Sequence, residues 1–155
     1  MKASLLIASF MALANSKMFT MDLTTRHIEG TAEPHIVEIL QHDMLRITLP
    51  ERPSTGYQWM YLKPEMKNGP ESVYSLVKDE YIKTSESNGA EVVGAGGKRY
   101  IILEGDKVGE DTFEAVLVKP WLFDGEYSED SGVAYHKIIL RILPNPDFEE
   151  DSFLY

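Results

Sequence analysis

Residues that could carry out chemistry are few in this chain of 155 residues, and their spacing favours no reaction. The histidines are His27, His35, His42 and His136, and none of them forms an HExxH or another paired metal-ligand spacing. A Gly-x-Ser-x-Gly elbow is absent. The lack of cysteine excludes disulfides, thiolate metal sites and a cysteine nucleophile. We therefore expect neither an enzyme activity nor a cofactor or metal site.

Three short segments stand out instead, because their residue types favour exposed loops. Residues 52–57 (RPSTGY) combine a proline that fixes φ with a glycine that permits positive φ, and alone they predict a plain turn. Residues 93–97 (VGAGG) suit either a close backbone approach or a flexible hairpin tip, and no Gly-Lys-Ser/Thr completes a phosphate loop. Residues 119–121 (KPW) contain a tryptophan that suits a core position as well as a binding anchor.

The elements that must position these segments are β-strands. Leu45, Ile47 and Leu49 alternate with less apolar residues, and the same period of two recurs within residues 112–118 and 137–142. Residues 57–61, 73–82 and 99–103 are further candidate strands, whereas convincing helical periodicity is absent after residue 16. This pattern predicts an all-β fold, an immunoglobulin-like antiparallel β-sandwich, although the Cys…Trp…Cys mark of true immunoglobulin domains is missing.

Charge and the N-terminal sequence indicate where the chain acts. The formal net charge of -10 disfavours nucleic acid and anionic membrane surfaces as partners. Lys2, an apolar run too short to span a bilayer and small residues around Ala14 predict a signal peptide over residues 1–16. We expect one monomeric domain over residues 17–145 and a frayed acidic tail over residues 146–155. The predicted location is the secretory pathway, with secretion or residence in lysosomes or phagosomes and no membrane attachment after cleavage.

The order and spacing of Pro-Ser-Thr-Gly-Tyr, Gly-Ala-Gly-Gly and Lys-Pro-Trp resemble the chagasin family of cysteine protease inhibitors. Members of that family carry an Asn-Pro-Thr-Thr-Gly-aromatic loop, a Gly-x-Gly-Gly loop and an Arg-Pro-Trp or Arg-Pro-Phe loop. Each motif is weak alone, and the resemblance spans roughly residues 35–143. Arg52, Ser54 and Lys119 depart from the usual asparagine, threonine and arginine, and lysine lacks the planar fork of arginine.

The resemblance implies a sandwich whose three binding loops lie side by side at one end. They would form a wedge that occludes the cleft of a papain-like, cathepsin-type cysteine protease, in a tight, reversible 1:1 complex. Thr55 would crowd the catalytic cysteine, Val93 would reach an apolar subsite, and Trp121 would pack on the opposite wall. The implied protease-binding residues are Pro53, Ser54, Thr55, Gly56 and Tyr57, then Val93, Gly94, Ala95, Gly96 and Gly97, and finally Lys119, Pro120 and Trp121.

Two other classes of function stay open on the sequence alone. An immunoglobulin-like adhesion or carbohydrate-binding module would share the fold but present exposed aromatic side chains on a sheet face instead of at loop ends. A hydrolase built from scattered residues is the other class, and it would cleave a substrate where an inhibitor would silence papain.

Overall fold

Eight β-strands form two four-stranded sheets in the part of the chain that the computed structural model describes, residues 16–24, 33–84 and 96–148. The first sheet has the order β1 (Met18–Asp22), β3 (Met44–Glu51), β6 (Gly97–Gly105) and β5 (Tyr74–Lys83). The second has the order β2 (His35–Leu40), β8 (Ala134–Leu143), β7 (Gly109–Val118) and β4 (Gln58–Tyr61). The predicted all-β class is confirmed.

The core lies between the two sheets, and its residues come from alternate positions along the strands. Leu45, Ile47 and Leu49 of β3 are each at most 1% exposed and belong to one cluster with side chains of the second sheet. The other large, almost fully buried side chains of this cluster are Ile39, Tyr74, Ile101, Leu103, Phe113, Ile138, Leu140 and Ile142. Burial of one such side chain contributes about 1.5–3 kcal/mol to the free energy of unfolding. The inward-facing side chains therefore hold the two sheets together.

The strand pairing follows the predicted immunoglobulin-like sandwich, with a difference at two edges. The pairs β3–β6, β5–β6, β4–β7 and β7–β8 are antiparallel, as expected. The edge strands β1 and β2 instead run parallel to β3 and β8. A parallel pair needs a crossover connection, and β2, in the opposite sheet, provides it between β1 and β3.

Two features at the end of the sandwich where β3 begins and β4 ends were not predicted. A short helix, α1 (Pro64–Asn68), follows β4 and begins with proline, whose fixed φ suits the first helical turn. The first residues of the predicted tail contact the sandwich, since the Phe148 ring lies 4.1 Å from the His42 ring, measured between centroids. Asn145 donates to the Gln41 carbonyl at 3.0 Å, which fixes the chain just before that contact.

Several predictions concern residues outside the described ranges. These include residues 1–15 of the predicted signal peptide and residues 149–155 of the tail. Within the described ranges, no helix is long and apolar enough to cross a bilayer.

Candidate functional site

The predicted segments that the structure describes lie at the same end of the sandwich. Residues 52–57 follow β3, Gly96 precedes β6, and residues 119–121 follow β7. The pairing of Glu51 with Gly97 places the end of β3 beside the start of β6, and β7 ends beside the start of β4. We call residues 52–57, 96–97 and 119–121 the loop end. Val93, Gly94 and Ala95 lie outside the described residues.

The first segment is a turn held by its own hydrogen bonds. Pro53–Thr55 forms a single 3₁₀ turn, in which the Thr55 amide donates to the Arg52 carbonyl at 3.0 Å. The Thr55 hydroxyl donates to the same carbonyl at 2.6 Å. Gly56 adopts φ of 83°, a left-handed conformation that favours glycine, and its amide donates to the Pro53 carbonyl at 2.9 Å. The turn interpretation is therefore right for the backbone, and residues 53–55 are exposed.

The third segment lies against the first. Trp121 is 70% exposed, in a 3₁₀ turn over Pro120–Leu122, so a core position for this side chain is excluded. A Cβ atom added to Gly56 would lie 3.0 Å from Cη2 of Trp121, which places the indole directly on the glycine. Lys119 Nζ lies 5.3 Å from the ring centroid of Tyr57 and 5.9 Å from that of Trp121, within cation–π range. The first and third segments thus form one continuous surface.

The second segment contributes its glycines to close packing. Gly97 is buried and opens β6, and a Cβ atom there would lie 2.3 Å from the Ile82 carbonyl oxygen and 2.7 Å from the Tyr81 ring. A Cβ atom on Gly96 would lie 3.3 Å from the Glu51 carbonyl oxygen. Gly97 therefore allows β6 to lie close against β5, and Gly96 allows the chain before β6 to approach the first segment. Gly97 acts through this packing, and of the described residues in the segment only Gly96 is partly exposed.

The long loop after Trp121 folds back onto the second sheet. Its Phe123 and Tyr127 pack on a second apolar cluster made of Val116, Val118 and Tyr135. This cluster explains why Val116 and Val118 are buried although they lie on the outer face of β7. The third segment is consequently fixed on both sides, by β7 before it and by the packed loop after it.

A buried polar network below the loop end was missed in the sequence. Glu51, whose side chain is 3% exposed, accepts the Trp59 amide at 3.2 Å and Nη1 of Arg99 at 3.1 Å. Trp59, at 2% exposure, is the core tryptophan of the chain, and its Nε1 donates to the Pro50 carbonyl at 2.7 Å. Strand alternation alone places Glu51 on the inner face, and that position was the available signal.

Arg99 extends this network to the edge of the first sheet. Its Nε and Nη2 donate to the two carboxylate oxygens of Asp79 at 2.8 and 2.9 Å. The Tyr61 hydroxyl donates to Asp79 at 2.5 Å. Burial lowers the pKa of Arg99, but the bonds and charges of Asp79 and Glu51 outweigh it and raise the pKa above its ordinary value. Burial, and then the bond to Asp79, raises the pKa of Tyr61, so both groups keep their protons.

The surface around the first segment offers shallow depressions and no catalytic group. One depression of about 310 Å³ is lined by Arg52, Thr55, Tyr57 and Gly96 among others, and one of about 230 Å³ includes Tyr81. Among the described residues, no group of three histidine, aspartate or glutamate side chains could hold a metal ion. The arrangement is suited to binding another protein with rigid, exposed loops.

The fold and the loop end define a class of protein, an immunoglobulin-like sandwich with exposed loops at one end. The model of the family described as "Chagasin family peptidase inhibitor I42" matches residues 38–132, and the chain belongs to this family. By its family it is a peptidase inhibitor and not an enzyme.

Solved structures agree on the fold. The cysteine protease inhibitor EhICP2 from Entamoeba histolytica aligns with a TM-score of 0.61 and 21% identity, over 83% of this chain and 98% of that chain. Amebosin aligns with a TM-score of 0.51 and 20% identity, over 83% and 98%. PbICP-C, solved in complex with falcipain-2, aligns with a TM-score of 0.51 and 16% identity, over 82% and 99%. No curated protein sequence gives a significant match.

Proposed function

We propose that the loop end inserts into the active-site cleft of a papain-like cysteine protease and blocks it reversibly, as a 1:1 complex with one inhibitor monomer. The observation that carries this proposal is Trp121, which is 70% exposed and yet held against Gly56 and Lys119. A large aromatic side chain kept in water by a rigid loop favours a partner that buries it. Because the turns of the first and third segments are already held in place, little conformational entropy is lost there on binding.

The first segment explains how such an inhibitor would escape cleavage. A papain-like protease hydrolyses extended peptides by attack of its cysteine thiolate on a carbonyl carbon. The 3₁₀ turn over Pro53–Thr55 is closed by the bonds from Thr55 and Gly56, so its backbone is not extended. Thr55 is exposed and would lie over the catalytic cysteine without presenting a strand for hydrolysis.

The other two segments would contact the walls of the cleft. Trp121 would pack on one wall, with Pro120 restricting the chain and Lys119 adding a positive charge beside the ring. Lys119 lies over the Tyr57 ring, so its charge is held within the loop end although lysine lacks the planar fork of arginine. Residues 94–96 would run along the groove and offer backbone hydrogen bonds, whereas Gly97, which was predicted to do so with them, is buried.

Titration of papain with the purified full chain tests the proposed function. Residual activity is followed with a fluorogenic peptide while inhibitor is added to a fixed amount of active-site-titrated enzyme. We expect a linear loss of activity that reaches completion at one inhibitor per enzyme, and recovery of activity on dilution. Undiminished papain activity in the presence of excess folded protein would refute the proposal. An intact inhibitor band after long incubation would support the absence of cleavage.

We also propose that residues 1–16 direct the chain into the secretory pathway, so that it meets its protease outside the cell, in lysosomes or in phagosomes. The support is the sequence itself, with Lys2 followed by an apolar run and small residues. Expression of the full coding sequence in a secreting host, followed by mass spectrometry of the N-terminus, tests this. A product that stays in the cytosol with residue 1 or 2 at its N-terminus would contradict it.

A further inference from the structure

The first segment crosses from one sheet to the other, and this raises the question of what holds its two ends together. β3, which precedes it, belongs to the first sheet, and β4, which follows it, belongs to the second. Strands in different sheets share no ladder of backbone hydrogen bonds. Beside the contacts of the segment with Trp121 and Lys119, side-chain bonds between the sheets therefore help to position residues 52–57.

Glu51 makes the central bond of this kind. Its carboxylate accepts the Trp59 amide at 3.2 Å, which joins the last residue of β3 to β4 across the sandwich. Trp59 returns a bond through Nε1 to the Pro50 carbonyl at 2.7 Å. The two bonds together close the base of the first segment.

The same carboxylate also reaches the second segment. It accepts Nη1 of Arg99, which lies in β6 two residues after Gly97. Arg99 is held in turn by the carboxylate of Asp79 on β5. The buried carboxylate of Glu51, at the end of β3, is thus bonded to β4, which follows the first segment, and to β6, which follows the second.

We propose that Glu51 is a positioning residue of the inhibitor, which sets the placement of the first segment relative to the second and thereby the affinity for the protease. This inference rests on the proposed function of the loop end. The Glu51 side chain is 3% exposed, so its effect on a bound protease must pass through the loops. Without its charge, Arg99 would keep only Asp79 as an ionic partner, and the tie between the two segments would loosen.

The substitution Glu51→Gln tests this inference, because glutamine keeps the size of the side chain and an oxygen for the Trp59 amide but removes the charge. The matched control is Asp111→Asn, which breaks the ion pair with Lys67, 2.9 Å long, at the opposite end of the sandwich. For both variants of the full chain, the inhibition constant against papain, urea unfolding and amide hydrogen exchange are measured. We expect Glu51→Gln to raise the inhibition constant about tenfold or more and Asp111→Asn to leave it within about twofold.

Hydrogen exchange separates positioning from a general loss of stability. In Glu51→Gln the amides of Thr55 and Gly56 should exchange faster than the change in global unfolding free energy accounts for. In Asp111→Asn their exchange should change only as much as the global unfolding free energy does. An inhibition constant and exchange rates equal to those of the wild type would overturn the inference. If the wild-type chain does not inhibit papain, the proposed function fails, and the exchange data still decide the role of Glu51.

A second variant covers the case in which Glu51→Gln does not fold. Asp79→Asn removes the other anionic partner of Arg99 at a more exposed position, with 22% of the side chain accessible. We expect a smaller rise of the inhibition constant in the same direction. No change in either the inhibition constant or the exchange of Thr55 and Gly56 would count against the network as a positioning device.

Discussion

The substitution Trp121→Ala gives the sharpest test of the loop end. A tryptophan side chain has about 250 Å² of surface, and 70% exposure leaves about 175 Å² for a partner. At about 25 cal/mol per Å², its burial could contribute up to about 4 kcal/mol. Ordering and desolvation at an interface offset part of this gain. We therefore expect a loss of about 2 kcal/mol in binding free energy, which is about a 30-fold rise of the inhibition constant.

The same exposure predicts a small effect on folding. About 75 Å² of Trp121 is covered in the free protein, which sets an upper limit of about 2 kcal/mol for the loss of unfolding free energy. The matched control is Met66→Ala, which removes a side chain that is 74% exposed on α1, away from the loop end. Inhibition constants against papain and urea unfolding curves are measured for both variants. An unchanged inhibition constant in a folded Trp121→Ala protein would refute the wedge for this segment.

Two further predictions concern local features. Gly56→Ala should cost about 1–2 kcal/mol of backbone strain and should weaken inhibition, because the new Cβ would lie 3.0 Å from Trp121. Gly125→Ala, at φ of 87° with no atom within 4 Å, should show the strain alone, and equal inhibition constants for both variants would contradict the ring contact. Burial and then Asp106 raise the pKa of Glu104 above 4.5, so the folded state binds its proton more tightly and stability should fall as pH rises above that value. Glu104→Gln should flatten this fall in urea unfolding between pH 4 and pH 7, and an unchanged slope would exclude the effect.

Strand alternation was the most reliable signal in the sequence, because burial of one face imposes it directly. It located β3, β7 and β8, whose inner residues form the core between the sheets. It missed β1 and β2, because few side chains of these two strands are buried. These two strands are held by backbone pairing with β3 and β8, which leaves no mark in their side-chain pattern.

The loop motifs were located by resemblance, but their internal roles required the structure. No local pattern shows that Gly97 faces the Tyr81 ring or that the Trp121 ring covers Gly56, because these contacts join residues far apart in the chain. The network of Glu51 and Arg99 was missed because charged residues in a strand usually indicate its solvated face, although the alternation of β3 places Glu51 inward.

The small cluster under the long loop has a consequence for how this protein can change. Phe123 and Tyr127 pack on Val116 and Val118, and none of these side chains belongs to the core between the sheets. Substitutions at the exposed positions 124, 126, 129 and 130 of this loop therefore leave the main core in place, whereas a Cβ atom on Gly132 would lie 2.4 Å from the Leu117 carbonyl oxygen. The segment beside Trp121 can diversify at little expense to folding, which makes it the natural place for selection, or an engineer, to retarget the inhibitor from one protease to another.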